Sequence, residues 1–214
     1  YNLSIDNLKK KLLSAKKNNK LPKLIIVVHF AGLPCELKKI YDLSKIYKFK
    51  IIEDASHAMG AKYARRYIGN CKYSDIAVFS FHPVKIITTG EGGICVTNDK
   101  KIYEKLLLYK NNGITNNKKN FISKNLGPWY YEQHSLGYNF RISEIQAALG
   151  ISQLKKLNNF VKKRNQIAKI YLKNLKNLPI EMQSVEKHFI STYHLFIIKL
   201  KDKKSYLHLK LFNY

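Results

Sequence analysis

The chain has no C-x-x-C pair, no apolar run near the ~18 residues of a membrane span, and very little arginine. Its three cysteines, Cys35, Cys71 and Cys95, are odd in number and widely spaced. That excludes a zinc ribbon and a disulfide framework, and it fits a reducing cytoplasm. The start is polar and Lys-rich with no apolar stretch behind it, so no secretory leader is visible. The first residue is Tyr1 rather than Met, as expected of an incomplete gene product. Only four of the 39 basic residues are arginine: Arg65, Arg66, Arg141 and Arg164. Proteins that read nucleic acid lean on the arginine fork. Against 14 acidic residues the formal charge is still +25, but the lysines are scattered through every segment beside Asn, Ile and Tyr. This reads as a solvated surface and compositional drift, so no nucleic acid partner and no membrane partner are expected. The field would still attract a phosphate-rich ligand.

What is present is an alternation of apolar runs and helical patterns over 214 residues, enough for one large domain or one domain plus part of another. Residues 3–17 form a Lys/Leu helix. Residues 23–30 are continuously apolar, as in a strand buried on both faces. A helical pattern over 36–48 and a strand over 50–54 complete a βαβ unit, whose strands should be parallel. Further strands are expected over 75–82 and 92–97, and a short helix over 101–109. Residues 115–134 make a polar, aromatic loop too long for a simple connector. Ser143 with Gln146 resembles a capping box that opens a long helix to about residue 177, with a break near Gly150. Pro179 ends it, and residues 193–200 read as a strand of a second domain. The expected fold is α/β. A mostly parallel central sheet flanked by helices fills residues 1–178. A partial, smaller α+β domain occupies 179–214.

Function shows at the strand ends. In an open parallel sheet, functional residues gather at the carboxyl ends of the strands. Asp54, His57, Ser80, His82 and Lys85 all fall at or just after such ends. A lysine amine on one turn, with a carboxylate at another strand end, is what pyridoxal 5'-phosphate chemistry needs. The amine forms the Schiff base, and the carboxylate keeps the pyridine nitrogen protonated, so that the ring can take up electrons. His57 suits the phenolic oxygen of that cofactor, Ser80 its phosphate, and His82 the substrate. Taken singly, each has an ordinary reading as well: a turn aspartate, a satisfied histidine, a polar crevice residue. Gly90, Gly92 and Gly93 permit a tight turn.

The runs Glu53-Asp54-Ala55-Ser56-His57-Ala58, Phe79-Ser80-Phe81-His82-Pro83-Val84-Lys85 and Thr89-Gly90-Glu91-Gly92-Gly93 resemble the sugar aminotransferase (DegT/DnrJ/EryC1/StrS) family. Gly137-Tyr138-Asn139-Phe140-Arg141, Glu144-Ile145-Gln146-Ala147-Ala148-Leu149 and Gln153-Leu154 extend the likeness. The resemblance implies a fold-type I pyridoxal phosphate enzyme with Lys85 as the Schiff-base lysine, Asp54 as the pyridinium partner, and His57 and Ser80 as cofactor ligands. It also implies a homodimer in which Asn139 and Arg141 reach into the partner's site. Ser56-His57, His82-Pro83 and Pro128-Trp129-Tyr130-Tyr131-Glu132 resemble the subgroup that makes the 4-amino sugar precursor of pseudaminic acid. That subgroup moves an amino group from glutamate to C4 of a UDP-linked 4-keto-6-deoxy sugar. Dehydratase relatives carry His where this chain has Lys85. Two features of the family, a phosphate-binding helix N-terminus and a ring-stacking aromatic residue, have no counterpart here. The polypeptide by itself is therefore expected to be a poor catalyst, and a truncated, inactive remnant is the alternative.

Overall fold

The computed structural model describes residues 1–123 and 127–201. Helix α1 (Ile5–Lys17) starts at Ser4, whose hydroxyl accepts from the Asn7 N–H, and buries Leu8 and Leu12. Strand β1 (Leu24–Val28), helix α2 (Leu37–Tyr47) and strand β2 (Lys50–Asp54) follow as the expected βαβ unit. β1 and β2 pair in parallel, Leu24 opposite Lys50 and Val28 opposite Asp54.

A small antiparallel pair, β3 (Lys62–Tyr63) and β4 (Arg66–Tyr67), precedes β5 (Ile76–Ser80) and β6 (Gly93–Val96). The central sheet has the order β1-β2-β5-β6. β5 is parallel to β2, and β6 turns back antiparallel to β5. Helix α3 (Lys100–Lys110) begins at Asp99, whose carboxylate accepts from the Lys101 and Ile102 N–H groups. Strands β7 (Ile114–Thr115) and β8 (Glu132–Gln133) bracket the long loop. Helix α4 (Glu144–Asn174) is followed by β9 (Ile180–Met182), β10 (Phe189–Ile190) and β11 (Ile198–Leu200).

One face of the sheet makes the core. Val27, Ile51, Ala77 and Phe79 point there and pack against Leu8, Leu12, Leu37 and Ile40. The other face carries Ile26, Ile52, Val78 and, at its carboxyl ends, Asp54 and Ser80.

Three expectations need correction. β1 is not buried on both faces: among the described residues it lies at a sheet edge, and Leu24, Ile26 and Val28 are 42%, 59% and 42% exposed. Helix α4 is not broken at Gly150. A β-carbon there would lie 2.8 Å from Thr89 Cγ2, so the glycine serves close packing between the helix and the 89–92 turn. Residues 193–197 are not strand. Tyr193 has φ 45°, in the left-handed region, and only Ile198–Leu200 pair, with β9. The capping box at Ser143 is present in both directions: Gln146 N–H donates to the Ser143 hydroxyl, and Ser143 N–H donates to Gln146 Oε1. Of the second domain expected at 179–214, residues 202–214 lie outside the described residues.

Under the core face, Glu53 is 1% exposed. The Cys35 N–H donates to His29 Nδ1 at 3.0 Å, which leaves the ring proton on Nε2. Nε2–H then donates to Glu53 Oε2 at 2.9 Å, and the Ser74 hydroxyl donates to Oε1. Glu53→Ala should therefore lower unfolding free energy by about 3 kcal/mol, read by chemical denaturation, because the buried His29 and the half-buried Ser74 lose their acceptor. Gly32, at φ 88°, admits no side chain: a β-carbon would sit 1.9 Å from Thr192 Oγ1 and 2.8 Å from the His57 carbonyl oxygen. Gly32→Ala should cost about 2–4 kcal/mol in the same measurement.

Candidate active site

Lys85 sits on a turn pinned at both ends. Its N–H donates to the His82 carbonyl at 3.0 Å. The next two residues, Ile86 and Ile87, are buried against Leu157 and Val161 of α4. The turn is closed by Phe81 N–H to Gly92 C=O at 2.8 Å, Thr89 N–H to Phe81 C=O at 3.0 Å, and the Thr88 hydroxyl to Phe81 C=O at 2.9 Å. Gln146 Nε2 donates to the Glu91 carbonyl at 3.1 Å, tying the same turn to the start of α4. A lysine on an ordinary surface loop has no such framework. Here the apolar residues behind it fix where its amine begins.

Asp54 ends β2 on the open face of the sheet. Its Oδ1 accepts from the Ser56 N–H at 3.1 Å and the Ser56 hydroxyl at 2.6 Å, an Asx-type turn that leaves Oδ2 outside it. Ser80 ends β5 on the same face, two residues beyond Val78, the register partner of Asp54. Its hydroxyl accepts from the His82 N–H at 3.3 Å. His82 itself is exposed, its Nδ1 taking the Val84 N–H at 3.3 Å and its Nε2 lying 3.8 Å from Glu91 Oε1.

His57 joins these groups. Burial lowers its affinity for a proton, the Lys85 cation lowers it further, and the Asp54 carboxylate opposes both. The charges of Lys85 and Asp54 thus both act on one imidazole. His57 Nδ1 is buried without a hydrogen-bond partner among the described residues. An amine, a carboxylate, a hydroxyl and an unpaired imidazole nitrogen are the donor set that pyridoxal phosphate takes, so the residues present fit that group.

A family model described as the DegT/DnrJ/EryC1/StrS aminotransferase family matches residues 1–213. The chain belongs to this family. Its aminotransferases depend on pyridoxal phosphate. The UDP-4-amino-4,6-dideoxy-N-acetyl-beta-L-altrosamine transaminase of Campylobacter jejuni is 39% identical over 206 residues, 95% of this chain and 48% of the relative. The GDP-perosamine synthase of Escherichia coli is 34% identical over 198 residues, 92% and 49% of the two chains. Among solved structures, Helicobacter pylori PseC, an aminotransferase involved in the biosynthesis of pseudoaminic acid, superposes with a TM-score of 0.81 at 33% identity. The match covers 98% of this chain and 52% of that one. The chain spans about half the length of the curated relatives it matches.

Asn139 and Arg141 lie elsewhere. Their segment runs along the end of α3, with Tyr138 N–H donating to Tyr109 C=O at 2.7 Å and Phe140 N–H to Lys110 C=O at 2.9 Å. Asn139 forms an isolated bridge with Asn111, and Arg141 donates to the Asn111 side chain. Both are exposed, and their hydrogen bonds do not reach Lys85, Asp54, His57 or Ser80. The long loop before them is organised by Glu132, which is 9% exposed. It accepts from His134, the Ile122 and Ser123 N–H groups and the Tyr130 hydroxyl, and the His134 bond leads in holding its carboxyl down at about 2.

Sequence reasoning missed His194. Its ring lies tilted against His57, centroids 4.3 Å apart, and its Nδ1 is also buried and unpaired among the described residues. The only signal was a histidine inside an apolar run, read as strand. Burial, the facing His57, Lys85 and Arg164 push its proton affinity down to about 4, from 6.5. The sign is that of a depressed histidine: between 6.5 and 4 the unfolded chain binds the extra proton. Stability from this pair should be full above pH 6.5 and fall as the pH drops toward 4. The protection factor of the Thr192 amide, its exchange rate corrected for the base-catalysed intrinsic rate, should fall in that window and stay level above it.

Proposed function

We propose that this chain forms the cofactor-binding part of a pyridoxal phosphate aminotransferase that moves an amino group from glutamate to C4 of a UDP-linked 4-keto-6-deoxy sugar. One observation carries the reading: Lys85 follows β5 on a turn locked by buried isoleucines, Asp54 and Ser80 end β2 and β5 on one face of the sheet, and His57, with Nδ1 unpaired among the described residues, feels the charges of both Lys85 and Asp54. The Campylobacter and Helicobacter relatives favour the UDP sugar, and the Escherichia relative keeps other nucleotide sugars of the family in play.

When bound, the cofactor would supply an electron sink for carbon–hydrogen cleavage. Lys85 would hold its aldehyde carbon and, once displaced by the donor's amine, carry a proton at Nζ to and from the reacting carbon. Such an amine has to be neutral for part of the cycle. Asp54 would pair with the ring nitrogen, keeping its proton in place. Ser80 would donate to the phosphate and His57 would face the phenolic oxygen. His82 would approach the sugar.

Asn139 and Arg141 would act across a homodimer, completing the partner's site. The exposed run Leu136, Tyr138, Phe140, Ile142 and Ile145 supports such an interface. The free cysteines fit work in the cytoplasm. Residues 179–201 we assign to the start of a smaller domain that adds Thr192 and His194 to the site.

Borohydride reduction in saturating pyridoxal phosphate, followed by peptide mass spectrometry, tests the proposal. The phosphopyridoxyl group should be recovered on Lys85 despite the many other lysines, and Lys85→Ala should lose it together with any transamination. Labelling spread over surface lysines, unchanged in Lys85→Ala, would defeat the reading.

A further inference from the structure

The His57 imidazole does not stand alone beside Lys85. The His194 ring covers it, with centroids 4.3 Å apart and planes inclined by 31°. Two rings in such contact gain more than burial alone provides, and each limits the rotation of the other. Both Nδ1 atoms are buried with no hydrogen-bond partner among the described residues. Buried polar atoms are nearly always paired, so two orphaned nitrogens in adjoining rings point to a ligand.

The backbone around His194 is bolted to the site. Ser191 and Thr192 are fully buried. Thr192 N–H donates to the Gly32 carbonyl at 3.1 Å, and its hydroxyl donates to the His57 carbonyl at 2.7 Å, across 135 positions of sequence. From α4, Asn165 Nδ2 donates to the Ser191 carbonyl at 2.9 Å, and Arg164 donates to the Tyr193 and His194 carbonyls at 3.1 and 3.3 Å. Tyr193 is held at φ 45°, a conformation unfavourable for an aromatic residue. A strained residue persists where its surroundings over-determine it, and such residues gather at functional sites.

We infer that His194 is a positioning residue: its ring clamps the His57 imidazole in one orientation beside Lys85, so that His57 meets the cofactor with its ring plane already set. The inference rests on reading Lys85 and His57 as cofactor-facing groups. The charged groups that bear on the pair are Lys85 and Arg164 on His194, and Lys85 and Asp54 on His57.

Ring-proton NMR of His57 and pyridoxal phosphate titrations, on wild type, His194→Ala and His194→Phe, test it. In His194→Ala the His57 midpoint should rise by about half a pH unit, as its cover is lost. Pyridoxal phosphate affinity should fall about five- to tenfold, the worth of a ring–ring contact. His194→Phe keeps a flat ring and should stay within about twofold of wild type, with the His57 midpoint close to it. A merely structural role would lower the melting temperature of His194→Ala and leave the His57 midpoint unmoved, which would overturn the inference. So would a His194→Phe variant that behaves like His194→Ala. Should His194→Ala not fold, His194→Leu replaces it: equal midpoints and affinities for Leu and Phe would again overturn the clamp. A chain that takes up no pyridoxal phosphate at any concentration defeats the proposed function instead, and the His57 titration then decides the positioning role by itself.

Discussion

The carboxyl end of β2 sets the whole arrangement through one constraint, the two-residue alternation of an extended strand. Glu53 points into the core face and Asp54 into the open face. A slip of one residue would exchange them, drawing the Glu53 carboxylate away from its donors on the core face and removing Asp54 from the open face. The slip is blocked because Glu53 is captured by His29 Nε2 and the Ser74 hydroxyl, from β1's end and the approach to β5. A buried ionisable group is seldom a source of net stability, but it does select one register over another. Here the register it selects is the one that presents Asp54, and Ser80 follows from the parallel pairing of β5.

The buried trio also shows why residue types alone do not make a catalyst. Serine, histidine and a carboxylate are all present, yet the Ser74 hydroxyl donates to Glu53 and not to His29. The His29 nitrogen that might accept a serine proton is occupied by the Cys35 N–H. The group the hydroxyl meets is the Glu53 carboxylate, itself held inside the sheet by His29, so the trio braces the strand. His57, just beyond the end of the same strand, by contrast keeps its Nδ1 unpaired among the described residues.

Much of this was legible in the sequence. The βαβ unit, the Ser143 capping box, and the placing of Lys85, Asp54, His57 and Ser80 near strand ends are local properties, set by periodicity and neighbours within a few positions. What stayed hidden depends on distant partners. Continuous apolarity in β1 cannot say which neighbours cover it, and the strand proved to be a half-exposed edge. Gly150 looked like a helix breaker because the Thr89 methyl it accommodates lies sixty-one positions away in the sequence. Residues 193–197 carry strand-like side chains, but the Thr192 bond to His57 and the Arg164 bonds to Tyr193 and His194 override that propensity. His194 could be recognised only once that override was visible.

The edge position of β1 has a practical side. Leu24–Val28 reads LIIVV, an uncharged, mostly β-branched segment that forms the edge of the sheet among the described residues, with Leu24, Ile26 and Val28 open to water and the Val28 carbonyl taken by the Cys35 thiol. Such rims are templates for sheet extension by neighbouring molecules, and Lys20 and Lys23 stand as gatekeepers only at its leading end. Handled at high concentration and high ionic strength, where the repulsion of a +25 chain is screened, the polypeptide would drift toward β-rich oligomers seeded at this rim. Dilute, low-salt buffers would hold them apart.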